Sequence, residues 1–467
     1  MERCDRLRSF HSIINDKTAK VSAEMKILVI GSGGREHAIV WALQRGRGGS
    51  ARPKLFCAPG NAGIAQLARC VSINATDIDA LSAFAEQEMI DLTIVGSEAP
   101  LAAGVADEFG RRGLTVAGAS SAAAQLESSK VFAKDFMTRH KIPTARYQVA
   151  TSSAQALMIL QSGEFGQKDS PVVVKADGLA AGKGVIVAQA RAAAESAIID
   201  LMERNILGTQ AAHRVVIEEA LVGREASLLL FADGRDFALM PAARDHKRIG
   251  EHDTGPNTGG MGAITDPSVI DQATLGRIIK EVIEPTLEGT CDEGFPFRGV
   301  LFIGLMLTAE GPRVLEYNVR FGDPEAQAIL VRLQTDLIDI FEAVAHGRLK
   351  EVPIRWSEDA SACVVLATRG YPMHPQIGAV IEGLNQVARD ATAPHVQIFH
   401  AGTMRSDDGQ WHTAGGRVLN VTATGETLER ALRRCYEAVG KIHWDGMQFR
   451  RDIGNFNEAQ KLKRENE

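Results

Sequence analysis

No apolar run in the 467-residue chain approaches the ~20 residues that a membrane-spanning helix needs, so no membrane role is expected. Basic charge is not in excess. The 52 Lys and Arg stand against 58 Asp and Glu, a net charge of −6, which argues against bulk binding to nucleic acid or an anionic membrane. A local basic site for a phosphorylated metabolite remains open. Cysteine is sparse and scattered: Cys4, Cys57, Cys70, Cys291, Cys363 and Cys435 form no CxxC pair. That excludes a disulfide framework and a zinc ribbon, and leads to the expectation of buried free thiols in a reducing cytoplasm. Residues 1–24 lack the apolar core of a secretory signal, and Glu2, Asp5, Asp16 and Glu24 argue against a transit peptide. That leader is expected to be disordered, with the true start at Met25. Internal repeats and low-complexity tracts are absent. No Ser-His-Asp arrangement stands out and no metal-type His cluster does; His246 and His252 suit hydrogen bonding better than ligation.

What remains is an ordinary globular composition, 45% hydrophobic and 24% charged, on a chain long enough for about three domains of ~150 residues. "KILVIGSGGREHAIVWAL" reads as a buried strand, a glycine turn and a helix, and "DLTIVGSEAPLAAGVADEF" repeats that grammar. "LTVAGAS" looks like a third parallel strand. Strands alternating with helices predict an α/β layer with binding loops at the strand C-termini. Strands are predicted at 214–221, 299–307 and 312–319, and a strand pair turns at Asp233-Gly234. Residues 244–263, "RDHKRIGEHDTGPNTGGMGA", read as a long polar glycine-rich loop, and loops that long are usually functional or disordered. Near the C-terminus, Leu428, Ala431, Leu432, Cys435, Tyr436, Val439 and Ile442 mark one face of a helix packed on a sheet.

Three motifs carry chemistry. "VVVKADGLAAGKGVIV" (172–187) is no Walker A loop, because Gly178 to Gly182 is one residue short and a strand follows rather than a helix. It reads as a strand–glycine loop–strand flap over phosphate, with Lys175 projecting from the end of a buried strand. In "VLEYNV", Glu316 and Asn318 share one strand face while Tyr317 turns the other way. An oxygen pair of that kind suits a hard cation such as Mg²⁺. "RFGDPEAQ" follows, placing Arg320, Asp323 and Glu325 where a small charged substrate could be oriented. "GSGGREHA" (31–38) lacks the third glycine of a dinucleotide fingerprint, since Glu36 stands there, so an NAD-dependent oxidoreductase is a weak reading. A simpler anion site, glycine amides at a helix N-terminus, stays open, as does plain turn chemistry.

Taken in order, GSGGREHA, PGNAG, EAPL, the SK element with KDF, KADGLAAGKGV, DHKR, DTGPNTGGMGA and EYNVRFGDPE resemble the phosphoribosylamine–glycine ligase family, from Met25 to about Gly454. The resemblance implies an α/β and α+β chain with an ATP-grasp fold. The leader would span 1–24 and an N-terminal parallel α/β domain 25–127. An ATP-grasp domain would follow at 128–350, with a mobile lobe at about 148–218, then a C-terminal α/β domain at 351–454 and a tail at 455–467. It implies ATP-dependent joining of glycine to 5-phosphoribosylamine in purine synthesis, with Mg²⁺ or Mn²⁺, in a cytoplasmic monomer or weak homo-oligomer without a nucleic-acid or membrane partner. Another ATP-grasp carboxylate–amine ligase is the alternative, and a non-catalytic nucleotide sensor a further one.

Residue by residue, the resemblance assigns nucleotide phosphates to Lys130, Lys175 and the flap Gly182, Lys183 and Gly184. It assigns adenine to the hinge Glu218, Glu219 and Leu221, and ribose to Glu225. Metal falls to Glu316 and Asn318. The ribosylamine falls to Gly33, Gly34, Arg35, Glu36, Asn61 and Glu98. Glycine and its acyl phosphate fall to Asn257, Thr258, Gly259 and Gly260 of the 254–262 loop with Arg320 and Asp323, and Asp245 and Lys247 to substrate binding without a particular substrate; Lys175, Arg320 and Asp323 are nearest the chemistry. Ser97, Val319 and Ala326 depart from the family pattern, which carries proline, commonly cysteine, and threonine there.

Overall fold

The structure, a computed structural model, describes residues 24–46, 52–180, 184–206, 208, 213–389 and 395–455. The expectations for the leader, for nearly all of the tail, for Cys4 and for Gly182 and Lys183 fall outside these residues. Among the described residues no helix is long and apolar enough to cross a membrane.

The N-terminal layer is a five-stranded parallel sheet in the order Arg69–Cys70, Lys54–Pro59, Lys26–Gly31, Leu92–Val95, Val116–Ala117. Ile27, Leu28, Val29 and Ile30 are fully buried, because helices cover both faces of the central strand, and this is why the segment reads as an unbroken apolar run.

A second sheet of nine strands runs through the middle of the molecule. Its path is Gly311–Asn318, Arg298–Thr308, Arg224–Asp233, Ala243–Asp245, Gly262–Thr265, Ala360–Ala367, Arg417–Gly425, Val396–His400, with Phe237–Leu239 added beside Arg224–Asp233. All of these pairings are antiparallel. The strand Ala360–Ala367 bonds directly to Gly262–Thr265, so the sheet continues without a break across the boundary expected near residue 350. The helix Leu428–Val439 lays Ala431, Cys435 and Val439 on its far end, as its spacing predicts.

A third sheet, of four antiparallel strands, forms a separate lobe: Tyr147–Ala150, Val215–Glu219, Val172–Ala176, Val185–Ala188. Its helices Ser153–Gln161 and Arg191–Ile198 close an apolar core of its own around Leu160, Val174, Ile198 and Ile217. Lys175 pairs with Val185 across the strand–loop–strand motif, so the expected hairpin is present.

Two expectations need correction. The segment 244–263 is not a free loop. Its ends pair as strands Ala243–Asp245 and Gly262–Thr265, and its middle folds into a hairpin, Arg248–Gly250 against Thr254–Asn257. Strands of three or four residues are held by backbone bonds and leave no apolar alternation to read. Nor are all the thiols buried: Cys57, Cys363 and Cys435 are, Cys70 is half-buried and Cys291 is exposed.

Candidate functional site

The cleft between the four-stranded lobe and the nine-stranded sheet holds a cavity of about 340 Å³. Lys130 enters it from the first turn of the helix Lys130–Arg139, whose N-cap Ser129 accepts from Phe132 N–H at 3.1 Å. Asp177 straps this helix to the lobe: its Oδ1 accepts from Ser129 Oγ (2.9 Å) and Val131 N (2.8 Å). Lys175 crosses the cleft and donates from Nζ to Leu315 O at 3.0 Å. Leu315 is the extra residue of a bulge, since Gly304 faces Glu316 while Leu305 faces Val314. Glu316 and Asn318 stand on the cavity side, and Tyr317 is buried on the other, with Oη 2.7 Å from Thr286 Oγ1. The four residues on which a phosphate site depends, 130, 175, 316 and 318, therefore line one space.

Electrostatics make that space cationic around a carboxylate. Burial pushes Glu316 up, but Lys247, Lys175 and Lys130 together outweigh it, and its carboxyl lies below the ordinary range. Burial lowers Lys130, opposed by Glu316. Lys247 sits 3.3 Å from Glu225 and 4.0 Å from Glu316, and Glu225 above all holds its ammonium well above the usual value. Asp245 and Glu325 lie near it, both pushed up chiefly by burial, Asp245 further by Glu225 and Glu316 and Glu325 further by Asp245. Glu218 is buried on the lobe side, where its Oε2 meets Lys175 Nζ at 3.0 Å and Lys134 Nζ at 3.1 Å, while its Oε1 has no protein partner. Burial lowers Lys134 to about 8.

Lower in the cleft, Arg320 is braced by Glu127 (2.6 Å) and Glu98 (3.1 Å) and donates to Asn318 Oδ1 at 3.1 Å. Burial lowers its guanidinium, yet the two carboxylates outweigh that and leave it raised. Asp323 is pushed up by burial and pulled below its ordinary value by Arg417 and Arg35. A second cavity, of about 640 Å³, opens beyond it, between Ser32, Gly33, Gly60 and Asn61 on one side and Tyr371, Pro372, Pro375 and residues 401–403 and 414–417 on the other.

Most of the expected residues meet here. Arg35, Glu98, Lys130, Lys175, Gly184, Glu218, Asp245, Lys247, Asn257, Thr258, Gly259, Glu316, Asn318, Arg320 and Asp323 line the first cavity; Gly33 and Asn61 line the second. Others do not. Glu219 turns away and pairs with Arg146 at 2.8 Å, as strand alternation requires. Leu221 and Gly260 border neither cavity, and Glu225 reaches the first only through Lys247. Glu36 does not face a ligand: its Oε2 accepts the Gly33 N–H at 2.6 Å and its Oε1 pairs with Arg35 at 2.7 Å. A Cβ at Gly31 or Gly96 would collide with the Glu36 side chain. Those glycines therefore make room for an internal carboxylate, and the amide expected to hold a phosphate is already taken. Gly34 is pressed against Asn420 and Gln327.

Lys134, Glu127, Tyr371 and Arg417 were not anticipated. Lys134 had a signal, one helical turn beyond Lys130 and so on the same face. Arg417 had none, because an arginine opening a strand is ordinary. Among the described residues no cluster of three or more His, Cys, Asp or Glu is poised for a metal. Glu316 and Asn318 alone supply two hard oxygen donors, which fits a cation that takes its other ligands from nucleotide phosphates and water.

The chain matches three family models: the phosphoribosylglycinamide synthetase N domain over residues 25–127, its ATP-grasp (A) domain over 128–326 and its C domain over 361–456. It is 48% identical over 434 residues to a phosphoribosylamine–glycine ligase of Xanthomonas axonopodis, covering 92% of this chain and 97% of that one. It is 47% identical over 435 residues to that of Escherichia coli K12, covering 92% and 98%. The crystal structure of phosphoribosylamine–glycine ligase from Thermotoga maritima superposes with a TM-score of 0.77 at 33% identity, over 92% of this chain and 100% of that one. Biotin carboxylase of Campylobacter jejuni, 15% identical with a TM-score of 0.67 over 91% and 92% of the two chains, shares the fold. The cleft with its opposed lysines and its Glu-x-Asn strand is thus carried on the full length of three matched domains, and the chain belongs to the phosphoribosylglycinamide synthetase family.

Proposed function

We propose that this cleft joins glycine to the amine of 5-phosphoribosylamine while converting ATP to ADP and phosphate, giving N1-(5-phosphoribosyl)glycinamide. The carrying observation is the convergence on one cavity of Lys130 from a helix, Lys175 from the lobe sheet, and Glu316 and Asn318 from the central sheet. A carboxylate is a poor electrophile. Transfer of the terminal phosphoryl group to glycine gives glycyl phosphate; the ribosylamine nitrogen then bonds to the carbonyl carbon as the C–O bond to phosphate breaks and the nitrogen loses a proton.

Positioning and charge stabilisation do most of this work. Lys130 and Lys175 neutralise charge on the transferred phosphoryl oxygens. The free Oε1 of Glu218 suits the exocyclic amine of adenine. Glu316 and Asn318 would hold Mg²⁺ or Mn²⁺, which supplies further neutralisation of phosphate charge when bound. Asp323, kept ionised by its arginine neighbours, and the 257–260 segment orient glycine. The second cavity, with Gly33 and Asn61 on its wall, takes the phosphoribosyl end. Separating the lobe from the sheet admits substrates, and closing it keeps water from the acyl phosphate.

The test is an ADP-release assay in which glycine and ribosylamine are omitted in turn. Full turnover requires both. Undiminished release without glycine overturns the reading.

A further inference from the structure

The two cavities share four lining residues: Thr258, Gly259, Asp323 and Arg417. We infer that Arg417, from the C-terminal part of the central sheet, is a positioning residue for amide formation: it fixes this partition, where the glycyl group and the ribosylamine nitrogen must meet. The inference rests on the ligase reading of the site.

Arg417 opens the strand Arg417–Gly425 and is only partly exposed. Its Nη2 pairs with Asp323 Oδ2 at 3.0 Å, and its Nη1 donates to Asp323 O at 2.6 Å and to Gly259 O. One guanidinium thereby binds the carboxylate and the backbone of Asp323 and the carbonyl of the facing loop. Tyr371 holds the other side of the same glycine, its Oη accepting from Gly259 N at 3.0 Å. Thr258 continues the chain of contacts, donating from Oγ1 to Lys247 O at 2.8 Å and accepting from Gly260 N at 2.9 Å. Gly260 has φ +110°, and a Cβ there would lie 2.5 Å from Pro324 Cδ, so the loop presses on the Asp323-Pro324 turn with no slack.

Two elements far apart in sequence, 257–260 and 323, are thus registered against each other by residues near 371 and 417. A planar fork does this; a flexible ammonium does so only in part. Loss of the fork should leave nucleotide binding intact, because Arg417 touches neither the lysines nor Glu316. It should loosen the partition, so that glycyl phosphate forms but meets water before the amine.

The experiment compares wild type with Arg417→Met, Arg417→Lys and Tyr371→Phe. It measures ATP affinity, KM for glycine and for ribosylamine, kcat, thermal midpoint, and ADP released per amide formed. For Arg417→Met the expected result is an amide kcat down by about 10²-fold and a ribosylamine KM raised by roughly tenfold. The ADP-to-amide ratio should climb above one while ATP affinity is held, and Arg417→Lys should recover part of the coupling. A ratio that stays at one with both KM values unchanged overturns the inference, as does an ATP affinity that falls in step with kcat. Should Arg417→Met not fold, Tyr371→Phe decides by the same ratio, since it removes only the acceptor for Gly259 N–H. If wild type itself releases no ADP on glycine and ribosylamine, the ligase reading fails rather than the role of Arg417.

Discussion

Glu218 carries two ammonium groups on a single carboxylate oxygen, and that asymmetry separates what two neighbouring substitutions should do. Lys175→Met removes a charge from the cavity but leaves Glu218 paired to Lys134 at 3.1 Å. The chain should fold, with kcat reduced by about 10²–10³-fold, the scale of losing one preorganised electrostatic contact. Steady-state kinetics beside circular dichroism check this. Glu316→Ala should abolish ligation without unfolding the protein, since it removes a repulsive neighbour of Asp245 while Lys175 keeps Glu218 and Lys247 keeps Glu225 as partners. Glu218→Gln is different. Lys134 and Lys175 are nearly inaccessible to water, with side-chain exposures of 2% and 7%. Without their counter-charge they should cost about 3–5 kcal/mol, read as a drop in the urea midpoint. Retained stability in Glu218→Gln would mean the lysines rearrange to reach water. The cleft residues Lys175, Glu316 and Asn318 are legible because strand alternation and glycine spacing are local properties. Lys134 and Glu127 act through contacts between elements, which no single stretch records.

Elements show the same division. The N-terminal strands and the C-terminal amphipathic helix were readable from apolar periodicity, whereas the 243–265 segment was not, because its pairing is made by backbone alone. The local spacing of the GSGG glycines cannot distinguish an approaching phosphate from an approaching Glu36. A second consequence lies where the helix Gly34–Arg45 meets the strand Val396–His400. His37 Nδ1 accepts from His400 N at 2.8 Å and so must be unprotonated there, and His400 Nδ1 lies 3.1 Å from Thr403 Oγ1. Burial, then the neighbouring His400, lower His37 to about 3; burial lowers His400 to about 4. Unfolded histidines titrate near 6.5, so between there and pH 4 the unfolded chain takes up protons that the folded chain refuses. This contribution to stability is complete above pH 6.5 and is lost as pH falls toward the folded values, at up to ~1.4 kcal/mol per pH unit for each histidine. Urea midpoints measured from pH 7 to 4.5 should fall accordingly, and His400→Gln should flatten the slope. An unchanged slope would mean both rings stay charged or stay hydrated in the native state.

At the scale of the whole molecule, the cores are unequal. One continuous apolar cluster joins Leu28 and Phe56 of the parallel layer, Leu228 and Ile303 of the central sheet, and Val421 and Val439 near the C-terminus. The four-stranded lobe has a smaller cluster confined to residues 150–217. Polar contacts strap it to the rest, among them Asp177 to the helix at 130, Glu218 to Lys134 of that helix, and Lys175 to Leu315 O. A lobe with its own core and polar tethers should open and unfold below the global free energy, while the joined layers should unfold together. Native-state hydrogen exchange is the measurement. Amides of the strands Val172–Ala176 and Val215–Glu219 should exchange at least about tenfold faster than those of Arg298–Thr308 and Ala360–Ala367. On the proposed reading, saturating ATP with a divalent cation should close most of that gap, because a nucleotide held between Lys175 and Glu316 would couple the two sheets; at 100 times its Kd it adds ~2.7 kcal/mol to the bound form. Uniform exchange across all four strands, with or without nucleotide, would show that the lobe is not an independent unit and that closure is not what binding drives.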